Sequence, residues 1–217
     1  MNIYEGNNAH DYKKVITGDI NCKKFFIYEQ LDLSNVSPEL KVAKTRHEFE
    51  RIWAFREREY RRILPDIRGF ENDRYDRSAV VLYTENSAGE ITSTGRIAFD
   101  GPHGLPEESL VHFLIKHHRQ RNLRLAEYGR VIIRDNARTG LIKHYFRSVY
   151  SIAADNGIEQ IIVVSKRKDI GFYLRMVGAS LLSDDLNETF GGKEPYACVE
   201  WKISETNTRF LQWCGLR

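Results

Sequence analysis

LRLAEYGRVIIRDNARTGLIKHYFRSVYSIAADNGIEQIIVVS, residues 123–165, reads as a strand, a turn, a long helix and a second strand. Leu123 to Ile133 is a strand candidate that ends in a β-branched run, the residue type that suits a pleated surface. Thr139 to Asn156 puts Leu141, Tyr145, Val149 and Ile152 on one stripe, with Ile142, Phe146 and Ala153 beside it, which is helical spacing. Gly157 follows as a stop, since glycine tolerates the left-handed conformation that closes a helix. Gln160 to Ser165 is apolar without alternation, the pattern of a strand covered on both faces.

The alternation of strands and helices extends to both sides. Upstream, LKVAKT is a short strand, and Arg46 to Leu64 is a helix with Phe49, Ile52, Trp53, Tyr60, Ile63 and Leu64 on one face, stopped by Pro65. RGFENDRYDR is polar and turn-like. Ala79 to Thr84 and Ile91 to Phe99 form a hairpin across ENSAGE. DGPHGLPEE is a loop, and Glu107 to His118 is a helix candidate. Downstream, Ile170 to Val177 is a short helix ending at Gly178, and Tyr196 to Ile203 alternates as a final strand. The class is mixed α/β. Residues 39–217 form one domain, preceded by an extension, residues 1–38, in which Lys23 to Leu33 is an extra strand or short helix.

Composition narrows the field. The chain has 217 residues, 41% hydrophobic and 29% charged, with 11 Phe, 11 Tyr and 3 Trp, enough for a sizeable core in one domain. A net charge of +3 gives no ground for a nucleic-acid partner. The longest apolar runs, such as Ile161 to Val164, are far shorter than the ~20 residues that span a bilayer. MNIYEGNNAHDYKK lacks the apolar stretch of a signal peptide, so a cytoplasmic location is expected. Cys22, Cys198 and Cys214 have no metal or disulfide spacing, and His112, His117 and His118 lack HExxH spacing, so no metal is expected. No nucleophile elbow, Walker loop or dinucleotide fingerprint occurs.

Three clusters carry chemistry. Arg56 falls on the apolar stripe of its helix, between Trp53 and Tyr60, and a charge facing a core needs a partner. Asp73 and Asp76 are the nearest candidates in sequence; the bland alternative is a structural ion pair or a guanidinium that reaches water. In RLAEYGRVIIRD, strict alternation puts Glu127 and Arg130 on opposite faces, but a bulge at Gly129 would bring them together. A carboxylate inside an apolar strand has a raised pKa, which suits a general base; the alternative is a Glu–Arg pair that only closes the sheet. In RDNARTG, Arg134, Arg138 and Gly140 at a helix N-terminus fit a phosphate-bearing ligand. From Lys116 to Arg147 there are nine Lys or Arg and two acids, locally +7, which is either a docking patch or a solvated basic face.

Five of these stretches, in this order, resemble the acyl-homoserine lactone synthase and N-acyl amino acid synthase group of the GNAT acyltransferase superfamily. KVAKTRHEFERIWAFREREY is similar to that group's opening strand and helix, through Arg56 and Tyr60; ENDRYD to its acidic motif, through Asp73 and Asp76; TGRIAF to its Gly–Arg strand, through Gly95 and Arg96. AEYGRVII resembles the glutamate-x-x-arginine strand, through Glu127 and Arg130, and FYLRMVG the tyrosine-to-glycine helix, through Tyr173. The lactone synthases carry a tryptophan before the acidic motif, whereas RRILPDIRGF has none, so the chain is closer to the N-acyl amino acid synthases.

The resemblance implies a GNAT-type fold, a mixed twisted sheet splayed between its fourth and fifth strands with helices on both faces. It implies N-acyl transfer from an acyl carrier protein thioester, or an acyl-CoA, to the amine of an amino acid or related small molecule, with no bound cofactor. Glu127 would be the base with Arg130 beside it, Arg56, Tyr60, Asp73, Asp76 and Arg96 would shape the acceptor end, and either Arg96 or Arg130 would hold the acceptor carboxylate. Arg134, Arg138, Gly140 and Tyr173 would hold the donor's pantetheine, and Trp53, Phe99, Phe113 and Phe146 would either wall an acyl tunnel or simply fill the core. Only Arg134, Ala137 and Gly140 follow the GNAT pantetheine pattern, loosely, which favours the carrier protein over CoA. The rival expectations are a lactone synthase using S-adenosylmethionine, a GNAT acetyltransferase using acetyl-CoA, and a non-catalytic carrier-binding module.

Overall fold

The computed structural model describes residues 31–63, 73–101, 103–134, 138–184, 186 and 195–216. Strand β1 (Lys41–Val42) leads into helix α1 (Arg46–Ile63), a 3-10 turn (Arg74–Ser78) and the hairpin β2 (Ala79–Glu85) and β3 (Ile91–Phe99). A second 3-10 turn (Glu108–Leu110) and α2 (His112–Gln120) precede β4 (Leu125–Ile133), α3 (Arg138–Asp155) and β5 (Gln160–Lys166). Helix α4 (Arg167–Phe172) passes into a π turn (Tyr173–Val177), followed by β6 (Ser180–Ser183), β7 (Tyr196–Lys202), a 3-10 turn (Ile203–Glu205) and α5 (Thr208–Cys214). No helix among the described residues is long and apolar enough to cross a membrane.

Local chemistry sets the ends of these elements. Thr45 and Glu48 form a reciprocal cap at α1: the Glu48 amide donates to Thr45 Oγ1 at 3.2 Å, and the Thr45 amide donates to Glu48 Oε2 at 2.7 Å. Glu48 also accepts from the Tyr83 hydroxyl at 2.7 Å, which ties the cap to β2. Burial alone would raise the Glu48 pKa, but these donors bring it to about 2. The π turn closes on Gly178, whose φ of +90° lets its amide reach back to the Tyr173 carbonyl at 3.0 Å.

The strands form one sheet in the order β1-β2-β3-β4-β5-β7-β6. Every neighbouring pair is antiparallel except β4 and β5. On one face, α3 and α5 bury Tyr145, Phe146, Val149, Phe210 and Leu211 against Ile97, Tyr128, Ile161, Val199 and Trp201. On the other, α1 sets Phe49, Ile52 and Phe55 on Val81, Tyr83 and Ile132, and Ile115 of α2 packs with Leu125, Ile162 and Cys198.

Two irregularities open this sheet. Strands β4 and β5 pair only at Leu125–Gln160, Ala126–Ile161 and Glu127–Ile162. Beyond Glu127, β4 stays with β3 while β5 stays with β7 along its whole length, so the parallel pair parts into a V. In the β3–β4 ladder, Thr94 opposes Ile132 but Arg96 opposes Gly129, so β4 carries one extra residue, and Arg130 within the bulge has φ +55°. A bulge adds twist and re-aims the side chains at it. The expected splay between the fourth and fifth strands is present.

Several expectations are redrawn by the structure. The helix expected over Glu107 to His118 starts at His112. Glu108, in the segment before it, instead pairs with Arg119, which also pairs with Asp100, at 2.6 Å each. Helix α5 has no counterpart in the sequence reading, which allows one or two strands after Gly178 and does not locate β6. Pro65 and most of Lys23 to Leu33 lie outside the described residues. Residues 31–38 lie against the domain: Leu31, Leu33 and Val36 pack on the core, and the Ser37 amide donates to Ser148 Oγ on α3 at 2.9 Å.

Candidate active site

The site begins with the charge on the buried stripe of α1. Arg56 is fully buried, and its Nη1 donates to Asp76 Oδ2 at 2.6 Å. Trp53 Nε1 donates to the same oxygen at 2.8 Å, and Arg56 Nη2 donates to Thr94 Oγ1 on β3 at 3.3 Å. Asp73 caps the first 3-10 turn and Asp76 lies within it, three residues on, and both carboxylates are buried. Asp73 Oδ1 caps the turn by accepting from the Tyr75 amide at 2.9 Å.

Asp73 Oδ2 then faces two strands. It pairs with Arg96 Nη1 of β3 at 2.6 Å and with Arg130 Nη2 and Nε of β4 at 2.9 and 3.2 Å. Arg96 Nη1 also stands 3.4 Å from Asp76 Oδ1. Burial alone would raise the Asp73 pKa, but Arg96 and Arg130 hold it far below the usual carboxylate range. The interlock sets an opposite charge against each charge it buries, as removal from water demands.

Glu127 sits where β4 and β5 part. It is 3% exposed, and Oε2 accepts from the Glu107 amide at 2.8 Å. Oε1 lies over Gly129, 3.7 Å from where a Cβ would stand. Burial, and then the Glu107 carboxylate, push the Glu127 pKa up to about 8, with Arg96 and Arg130 acting against them. The Glu107 carboxylate reaches Arg130 Nη1 at 3.4 Å. The bulge therefore brings Glu127 and Arg130 to one site, one on each side of Glu107.

This group looks into a cleft of about 360 Å³ lined by Tyr60, Glu107, Glu127, Gly129, Arg130 and Tyr196. Tyr128, Val131, Ile133, Ser165, Lys168, Asp169 and Tyr173 line both this cleft and a groove of about 770 Å³ on the α3–α4 side. The parted strands thus connect the two faces of the sheet. The groove adds Ile142, Phe146, Phe172 and Met176, an apolar wall, with Lys168, Arg175 and Arg209 among its cations. Among the described residues, no cluster of three or more His, Cys, Asp and Glu side chains could hold a metal ion.

The structure gathers Arg56, Asp73, Asp76, Arg96, Glu127 and Arg130 into one network, with Tyr60 and Tyr173 on the cleft wall. It sets Arg134 elsewhere, 3.2 Å from Glu59 and 5.5 Å over the Phe55 ring. Gly140 is exposed in the first turn of α3, Arg138 opens that helix with its side chain outside the described residues, and Ala137 lies outside them too. Phe99 and Phe146 are core residues, and Phe146 also lines the groove. Trp53 serves Asp76, and the Phe113 side chain lies outside the described set. Of the cations between Lys116 and Arg147, Arg119, Arg130 and Arg134 are paired with Asp100, Asp73 and Glu59 from outside that stretch, which lowers the local excess. Sequence reasoning missed Glu107 and Thr94. Glu107 lies in a loop without periodicity, and its place at the site is purely tertiary.

A family model described as N-acyl amino acid synthase FeeM matches residues 51–195. Among solved structures, the chain is similar to FeeM, an N-acyl amino acid synthase from uncultured soil microbes, at 17% identity and a TM-score of 0.57 over 76% of this chain and 90% of that one. It is also similar to the acyl-homoserine lactone synthase LasI, at 13% identity and 0.56 over 81% and 93%. A third likeness is a putative N-acetyltransferase from Lactobacillus plantarum, at 12% identity and 0.55 over 76% and 97%. No curated protein matches the chain in sequence. The fold is the GNAT acyltransferase fold, and the matched segment runs from within α1 to the residue before β7.

Proposed function

The chain belongs to the N-acyl amino acid synthase FeeM family and is an N-acyltransferase; from that premise we propose that it moves a long-chain fatty acyl group from an acyl carrier protein thioester to the amine of an amino acid or related small molecule. The observation that carries this reading is Glu127, a carboxyl group pushed up to about 8 in the cleft that connects with an apolar groove. A carboxylate of that basicity is matched to deprotonating an amine near neutral pH.

The acyl thioester lies along the groove and reaches through the parted strands with its carbonyl carbon beside Glu127. Glu127 takes a proton from the acceptor nitrogen as the C–N bond forms, the C–S bond breaks, and the departing thiolate takes that proton from Glu127, which restores the base. Main-chain amides at the β4 bulge face the developing oxyanion, where fixed dipoles stabilise charge most effectively. Arg130, which lines the cleft, receives the acceptor carboxylate; Arg96 is 1% exposed and serves Asp73 and Asp76 instead. Lys168, Arg175 and Arg209 suit the phosphate of a pantetheine arm. Such an arm is common to carrier protein and CoA.

The test is product analysis by mass spectrometry. The purified chain is offered long-chain acyl carrier protein and acyl-CoA in parallel, each with the amino acids and with S-adenosylmethionine. The reading predicts an N-acyl amino acid, formed faster from the carrier protein. Release of methylthioadenosine with a lactone product, or no acylated amine from either donor, would sink it.

A further inference from the structure

Glu107 belongs to none of the motifs that suggested the site, yet it makes three separate approaches to it. Its main-chain amide donates to Glu127 Oε2 at 2.8 Å. Its carboxylate stands 3.4 Å from Arg130 Nη1. Its side chain lines the cleft with Glu127, Gly129 and Arg130. The loop that carries it is anchored independently, since Arg119 ties Glu108 to Asp100 and Glu108 Oε2 accepts from the Leu105 amide at 3.1 Å.

We propose that Glu107 is a positioning residue for Glu127: its amide engages Oε2 so that Oε1 is the oxygen that meets the acceptor nitrogen, and its carboxylate joins Asp73 in holding the Arg130 guanidinium away from Glu127. The inference rests on the base reading of Glu127 and adds a residue to it. Arg130 needs such a restraint because the bulge that gives it φ +55° also brings it to the side of the sheet on which Glu127 stands. A guanidinium released from its partners pairs with the nearest carboxylate. An Arg130–Glu127 pair would turn a base into a salt-bridged carboxylate. Gly129 completes the arrangement, because no side chain there competes for the space beside Oε1.

Among the described residues, Glu127 is faced by Glu107 from the loop, Arg96 from β3, Arg130 from β4 and Cys198 from β7, and Tyr60 of α1, Lys168 and Asp169 of α4, Tyr173 and Tyr196 line the same cleft. Glu107 adds negative charge and Arg96 and Arg130 oppose it. The amide survives any side-chain change at position 107, so E107Q removes the charge alone, and E107D restores it on a shorter stem.

The experiment is direct titration of the Glu127 carboxyl carbon by NMR in glutamate-labelled protein, with the signal assigned by its loss in E127Q. The Glu127 midpoint is expected to fall by about one pH unit in E107Q and to return most of the way in E107D. In the same preparations, the acid limb of kcat/KM should move down with it in E107Q. An unmoved midpoint in E107Q, with the fold intact by thermal melting, would overturn the assignment. The two failures separate: full turnover in E127Q counts against the base, whereas an unmoved midpoint in E107Q counts against Glu107.

Discussion

A single carboxyl group, Glu127, ties the chemistry of this chain to its stability. Its pKa is raised by burial and by Glu107 to about 8, whereas an unfolded Glu titrates near ~4.3. Below the unfolded value both states hold the proton, and the fold bears no penalty. As pH rises toward 8, the unfolded chain gains an ionised carboxylate that the folded chain resists, so this stability is lost through that window. Wild type and E127Q should therefore differ least below about pH 4, and E127Q should be more stable near pH 9 by on the order of a few kcal/mol. Thermal melts across that range check this, and a difference independent of pH would contradict it. The residue was legible in sequence because a Glu inside an apolar strand is anomalous. Glu107 was not, because a Glu in a polar loop is ordinary until the loop is folded over β4.

At the scale of elements, α1 and the β4 bulge place the charged network. Helix α1 was readable from its apolar stripe, and Arg56 from its misfit on that stripe. Its partner Asp76 is buried as fully as it is, so R56A removes the shortest ion pair of a buried carboxylate and leaves it the Trp53 indole and Arg96 at 3.4 Å. That should cost about 3–5 kcal/mol in urea unfolding, and a cost under ~1 kcal/mol would contradict the network. Gly95 on β3 is fixed by the other face: a Cβ there would stand 2.8 Å from the Tyr145 ring of α3. G95A should lose about 1–3 kcal/mol by overpacking, read as a lowered melting temperature. The bulge was foreseen from Gly129, but its left-handed residue is Arg130, because hydrogen-bond register between two strands is set by both of them. The four-residue β6 and the seven-residue α5 were not located because so short a segment cannot display a period.

The whole molecule contributes the passage between its two layers. The alternating order of strands and helices was legible, and so was the need for a splay once the motifs were set beside a known fold. The pairing of the cations was not, because acids from distant segments answer Arg119, Arg130 and Arg134. Val131 is exposed because it faces the opening, and it lines both cleft and groove. V131W should keep the melting temperature and lower kcat/KM for a long-chain donor at least about tenfold, with short-chain donors less affected, as expected when a donor is misplaced by an ångström or more. Equal kinetics for both donors and wild type would argue against a chain threaded through the sheet. The central claim, that Glu127 accepts the proton in an N-acyl transfer, is met most directly by the pH dependence of kcat/KM for wild type and E127Q with an acyl carrier protein donor. Wild type should rise along a limb centred near 8, and E127Q should fall by about 10²–10⁴ and lose that limb; an E127Q profile that matches wild type in height and limb would contradict the account.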